Sequence, residues 1–188
     1  MKIALFASGT GSNVKNIIEH FENNKNVQIA SVFSNNANAG ALLHAINAGI
    51  ATFVFNSQEL KEANSILKTM ENQDIKLVVL AGFLLKIPKE FIANFSGKII
   101  NLHPSLLPKY GGKGMYGVNV HKAVLANKET ETGITIHFVN ENYDQGAIIK
   151  QYKTDLLPND DLETVQEKIK QLEKIHFPTT IEGITKKL

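Results

Sequence analysis

The segment KIALFASGTGSNVKNII, Lys2 to Ile18, carries an apolar run into two closely spaced glycines and then into a different periodicity. KIALFA is apolar after Lys2, whereas Val14, Ile17, Ile18 and Phe21 recur at helical spacing. Between them, Ser8-Gly9-Thr10-Gly11-Ser12-Asn13 is built of turn-forming residues. The segment reads as strand, tight turn and helix, the opening unit of an α/β sheet.

The same alternation continues along the chain. QIASVFS (28 to 34) reads as a strand, the Ala-rich stretch from Ala39 to Ala48 as a helix closed by Gly49, and ATFVF (51 to 55) as a strand. A helix is expected from about Ser57 to Asn72. It leads into LVVLAG (77 to 82), whose unbroken apolarity suits a strand buried on both faces. Pro88 opens a short helix through Phe95. KIINLH (98 to 103) is the next strand, and Val118 to Asn127 the next helix.

TGITIHFV (132 to 139) and AIIKQYKT (147 to 154) flank only Asn140 to Gly146, too short a connection for a helical crossover. That pair is expected to form an antiparallel hairpin added to the sheet. A last helix starts near Asp160 and runs past Gln171, with Pro178 kinking or ending it. The expected fold is α/β: a doubly wound, mostly parallel, Rossmann-like sheet with a C-terminal antiparallel hairpin and a terminal helix.

A chain of 188 residues suits one domain, residues 1–188. Hydrophobic residues make up 43% and charged residues 20%, well away from disorder. No run approaches the roughly 18 apolar residues of a membrane span, and glycine interrupts the N-terminal apolar run before a signal-peptide core is complete. A cytoplasmic protein with no membrane partner is expected. The absence of cysteine excludes disulfides, thiolate catalysis and zinc–thiolate sites. A net charge of +2 gives no indication of a nucleic-acid partner. All 20 basic residues are lysine, so two-pronged guanidinium recognition of phosphate is excluded, and backbone N–H groups and lysine must serve instead.

Open α/β sheets bind ligands beyond the carboxyl ends of their strands, beside helix N-termini. Three polar features fall at such ends: Ser8 to Asn13, Ala81-Gly82, and Asn101 to Pro108. They are expected to share one cleft. SGTGSN matches neither GxxxxGK[ST] nor GxGxxG. Its two glycines still let backbone N–H groups approach an anion, and Ser12 and Asn13 add a hydroxyl and an amide. A plain turn with a helix cap fits the stretch equally well.

In an extended backbone, Asn101 and His103 lie on one face and converge as two donors, the arrangement that a developing oxyanion needs. Pro104 and Pro108 hold the departing segment rigid, and Leu107-Pro108 is a candidate cis bond. Asp144, in the loop NENYDQG, would favour the imidazolium of His103 if that loop folds over the strand end. The other histidines carry no such signal. His20 and His44 sit in helical patterns, His121 on a helix surface, and His137 and His176 are read as packing residues.

SGTGSN, LAGF (80 to 83), NLHPSLLP (101 to 108) and TGITIHFVNENYDQGAII (132 to 149), in this order and spacing, resemble the phosphoribosylglycinamide formyltransferases, folate-dependent enzymes of purine synthesis. The resemblance covers almost the whole chain. It implies a phosphate-binding half (1–95) and a catalytic and folate-binding half (96–188), and transfer of a formyl group from 10-formyltetrahydrofolate to glycinamide ribonucleotide without a metal. The family's catalytic trio falls on Asn101, His103 and Asp144, and its phosphate loop on Gly9, Thr10, Gly11, Ser12 and Asn13. Its folate pocket falls on Leu84, Leu85, Ile87, Asn140, Glu141, Tyr143 and Asp144, and its substrate-contacting residues on Lys61 and Glu173. The family's usual arginine is replaced by Lys61, and GGKGMYG after Pro108 is longer than in many bacterial members. The expected state is a monomer or homodimer.

Two rivals differ in class. Other formyl-transferring enzymes with the same trio, acting on methionyl-tRNA or nucleotide sugars or hydrolysing formyltetrahydrofolate, share the chemistry. The tRNA enzyme and the hydrolase carry additional domains, for which 188 residues leave no room. A non-catalytic nucleotide-binding module would keep the glycine loop but would not need Asn101, His103 and Asp144 together.

Overall fold

Seven strands lie side by side: β1 (Lys2–Phe6), β2 (Gln28–Ser34), β3 (Ala51–Val54), β4 (Ile75–Leu80), β5 (Lys98–His103), β6 (Glu131–Phe138) and β7 (Ile148–Asp155). The computed structural model describes residues 1–188 and orders the strands β3-β2-β1-β4-β5-β6-β7. β1 through β5 are mutually parallel, while β6 is antiparallel to both β5 and β7. The chain starts in the centre, winds outward to β3, then returns to lay β4 against the other side of β1. That reversal opens a crevice beyond the carboxyl ends of β1 and β4.

Seven helices cover the sheet: α1 (Ser12–Phe21), α2 (Gly40–Asn47), α3 (Ser57–Glu62), α4 (Asn64–Asn72), α5 (Lys89–Asn94), α6 (Val118–Ala126) and α7 (Leu162–Thr185). Side chains alternate across each strand, and two cores result. Ile3, Leu5, Leu77, Val79, Ile100 and Leu102 pack under α1, α2 and α7. Ala4, Phe6, Val78, Leu80 and Ile99 pack under α3, α4 and α5. Phe6 centres the second core, stacked on Phe33 at 4.9 Å between centroids and edge-on to Phe83 at 5.5 Å.

Two helices depart from the expected pattern. The stretch from Ser57 to Asn72 is two helices, because Ala63 adopts a left-handed backbone with φ 61 that ends α3 and starts α4. The terminal helix neither ends nor stops short at Pro178; it runs on to Thr185, with Phe177, Pro178, Ile181 and Ile184 all buried. Burial of that face outweighs the hydrogen bond that proline forfeits. The hairpin of β6 and β7 forms as expected, and Leu107-Pro108 is cis.

Candidate active site

β5 ends in Asn101, Leu102 and His103, with the two polar side chains on the face that Leu102 does not use. The antiparallel register sets His137 directly opposite Asn101, and Thr135 opposite His103. Thr135 Oγ donates to the Ser105 carbonyl at 2.7 Å and accepts from the Leu107 N–H at 3.0 Å. Ser105 Oγ in turn donates to the Lys109 carbonyl at 2.7 Å. The proline-bounded segment is therefore fastened to the sheet by buried hydroxyls as well as by its own stiffness.

Asp144 reaches this strand end from the β6–β7 connection, in a left-handed conformation with φ 53. Its Oδ2 accepts the Gly112 N–H at 2.8 Å and lies 3.6 Å from His103 Nδ1. Its Oδ1 lies 3.7 Å from His137 Nε2. One carboxylate thus sits between two buried imidazoles. Burial alone would push Asp144 upward, but His137, the charge of His103 and the Gly112 N–H outweigh it and hold the carboxyl below its ordinary value. Gly111 is needed close by: a Cβ there would stand 2.6 Å from Leu107 Cδ2 and 3.2 Å from Asp144 Cβ.

His103 is buried, and burial pulls its pKa below the ordinary 6.5, opposed by Asp144 and by the Tyr110 carbonyl. That carbonyl lies 2.8 Å from Nε2, and since a carbonyl only accepts, Nε2 carries a proton. With a carboxylate on the Nδ1 side, both ring nitrogens face acceptors, an environment matched to the imidazolium. In this conformation Nε2 is taken by the Tyr110 carbonyl, and Nδ1 lies 3.6 Å from Asp144 Oδ2.

Asn101, His103, His137 and Asp144 line a cleft of about 550 Å³, within the roughly 300–1,000 Å³ of small-molecule sites. Leu84, Leu85 and Ile87 form an apolar wall, with Asn140 and Tyr143 at the hairpin side. Glu141 is not part of the lining; it is exposed and lies 3.6 Å from Lys89. Lys86 stands over the Tyr143 ring, 5.1 Å from its centroid, linking the two loops. The 112–117 stretch of the long GGKGMYG loop closes another side of the same cleft.

Asn13 and Glu173 also line the cleft, and Asn13 Nδ2 donates to Glu173 Oε2 at 2.8 Å. Burial raises the Glu173 carboxyl above its ordinary value. Gly9, Thr10, Gly11 and Ser12 are not in the lining; they form the turn that starts α1 and meets the cleft through Asn13. Gly11 has φ 80, and a Cβ on it would stand 2.4 Å from Ala41 Cα, so only glycine fits. No side chain caps α1, which leaves its first N–H groups open to an anion. Ser8 ties the carboxyl ends of three strands together: its hydroxyl donates to Asn35 Oδ1 at 2.6 Å and accepts the Leu84 N–H at 3.0 Å. Lys61 is exposed on α3 and does not line the cleft.

Two histidines are placed differently from the sequence expectation. His137 is a member of the polar cluster, a position signalled only by the strand register that pairs it with Asn101. His121 is not on a surface; it is 6% exposed on α6, with Nδ1 lacking a partner and its pKa lowered chiefly by burial. No helix is long and apolar enough to cross a membrane.

Residues 1–181 match the family described as formyl transferase. The chain belongs to that family. Among its curated relatives, a phosphoribosylglycinamide formyltransferase of Haemophilus influenzae is 36% identical, over 98% of this chain and 87% of that protein. The chloroplastic protein of the same name in Arabidopsis thaliana is 36% identical over 89% of this chain. The chain spans 60% of the length of that plant relative and 60% of the one from Vigna unguiculata. A solved phosphoribosylglycinamide formyltransferase from Anaplasma phagocytophilum superposes with a TM-score of 0.90 at 33% identity, covering 99% of this chain and 87% of that one. The formyl transferase fold is thus shared from the first strand to the last helix.

Proposed function

We propose that the protein transfers a formyl group from 10-formyltetrahydrofolate to the primary amine of glycinamide ribonucleotide, giving the N-formyl product and tetrahydrofolate. The observation that carries this is the meeting of Asn101, His103 and Asp144 in one cleft with the Asn13–Glu173 pair, which lies beside an uncapped glycine turn. The glycine turn and the first N–H groups of α1 take the phosphate, a task that falls to backbone in a chain without arginine. Glu173 takes donors of the glycinamide substrate. The wall formed by Leu84, Leu85 and Ile87 takes the flat ring system of the folate, with Tyr143 and Asn140 across from it.

The amine attacks the formyl carbon, the C=O bond becomes a C–O⁻, and the amine nitrogen becomes positively charged. The second N–H of Asn101 Nδ2 donates to that oxygen, and the imidazolium of His103 stabilises it through charge. Asp144 favours the charged form of His103 against the burial that opposes it, and relays the proton lost by the amine toward the departing folate nitrogen. Collapse re-forms C=O, breaks the bond to folate and leaves N–H there, so atoms and protons balance.

The test is a formyl-transfer assay that offers glycinamide ribonucleotide, a nucleotide-linked amino sugar and methionyl-tRNA separately, plus water as acceptor. Turnover with the first alone is expected. Release of formate without an amine acceptor, or equal turnover of another amine, would overturn the assignment.

A further inference from the structure

His137 enters the site without belonging to the trio, and its hydrogen bonds fix its protonation pattern. Nδ1 lies 2.8 Å from the Phe138 carbonyl, which can only accept, so the ring proton sits on Nδ1. Nε2 then presents a lone pair. It faces Asn101 Nδ2 at 3.2 Å, across the ladder position where the two residues oppose each other. The amide must therefore turn its nitrogen, not its oxygen, toward His137. One N–H of Nδ2 is used there, and the other has no protein partner. Turned by 180°, the amide would set an acceptor oxygen against a developing negative charge.

We propose that His137 is a positioning residue: it holds the Asn101 side chain in the one orientation that leaves an amide N–H free for the reacting oxygen. Asp144 Oδ1, 3.7 Å from the same Nε2, is beyond hydrogen-bond reach, so the Asn101 amide is the group bonded to that nitrogen. The inference rests on the formyl-transfer reading for its kinetic consequence, whereas the protonation pattern stands independently of it. Acting through Asn101, and lying beside Asp144, His137 affects the chemical step and leaves substrate capture nearly unchanged.

His137→Leu keeps the bulk and removes the acceptor. It is expected to lower kcat about 10- to 100-fold, a part of what loss of an oxyanion donor costs, with KM for both substrates within about threefold. His137→Gln, whose Oε1 can accept from Nδ2, is expected to recover most of the loss. In the wild-type protein, nitrogen-15 NMR should show a His137 ring protonated at Nδ1 and bare at Nε2. Wild-type kcat in His137→Leu, equal damage in both variants, or a protonated Nε2 in the neutral protein would overturn the proposal. Should the wild-type protein transfer no formyl group at all, the function assigned above fails, and the nitrogen-15 pattern still decides whether His137 orients the amide.

Discussion

Two parts of the cleft, the one reached from α1 and the one at the end of β5, are made of different materials. At α1, recognition is by backbone: Gly11 exists there because φ 80 and the closeness of Ala41 forbid a side chain, and the uncapped helix supplies the donors. At the end of β5, it is by buried side chains, with Asp144 set between His103 and His137 and each imidazole holding a backbone carbonyl. A backbone site depends on space and torsion and is indifferent to pH. A side-chain cluster depends on protonation and on partners contributed by distant segments. Damage to the first should therefore appear in binding, and damage to the second in chemistry.

The largest expected effect is His103→Ala, which should slow single-turnover formyl transfer by at least about a hundredfold, or roughly 3 kcal/mol, while a folate analogue binds within about threefold of wild type. Gly11→Val should do the reverse. The strained torsion costs about 1–2 kcal/mol and the clash with Ala41 adds to it. The KM for the nucleotide should rise about tenfold, with kcat nearly kept. If Gly11→Val instead lowered kcat with KM unchanged, the division of labour between the two parts would be wrong.

Glu173→Gln sharpens the contrast, because Glu173 is a half-buried carboxyl bonded to Asn13 beside the backbone site. Its pKa is raised by burial, so its stabilising contribution is complete below about 4.5 and is lost as pH rises through the folded value. At pH 7 the glutamine variant should melt higher than wild type yet bind the nucleotide substrate more weakly, and the difference in melting temperature should close as pH falls toward 4.5. A lower melting temperature at pH 7 would refute the burial of charge there.

The smallest effect belongs to His121. Its pKa, like that of His103, is lowered by burial from 6.5, so the unfolded chain binds more protons below that pH. Stability is then present above about 6.5 and falls as pH drops toward the folded values. His121→Leu removes both the titration and the unpartnered Nδ1, and should melt at or above the wild-type temperature at pH 7 and lose less on going to pH 5.5. Differential scanning calorimetry at the two pH values checks this.

Much of the architecture was legible because apolar runs such as KIALFA and LVVLAG are strands that periodicity alone identifies. The short Asn140–Gly146 connection could only be a hairpin. The break at Ala63 left no trace, since a left-handed alanine is imposed by packing around α3 and α4 and not by local propensity. Pro178 signalled a helix end that burial of Phe177 and Ile181 overrode. In the candidate site, Asn101 and His103 could be placed on one face from residue type and spacing, and Asp144 only on condition that its loop folds over the strand end. His137 could not, for its role arises from cross-strand register. Nor could the Tyr110 carbonyl and the Gly112 N–H, because backbone groups of every residue look alike in a sequence. Lys61 shows the opposite failure: a residue matched by position along the chain that the fold leaves outside the cleft.

The carboxylate between the two imidazoles is what the account most depends on. The direct measurement is the single-turnover rate of formyl transfer in Asp144→Asn, which keeps the shape of the side chain and removes its charge. A drop of at least about a hundredfold, with both substrates still bound within about threefold, is predicted. A rate within a few-fold of wild type would contradict the claim that Asp144 supports positive charge on His103 during the reaction.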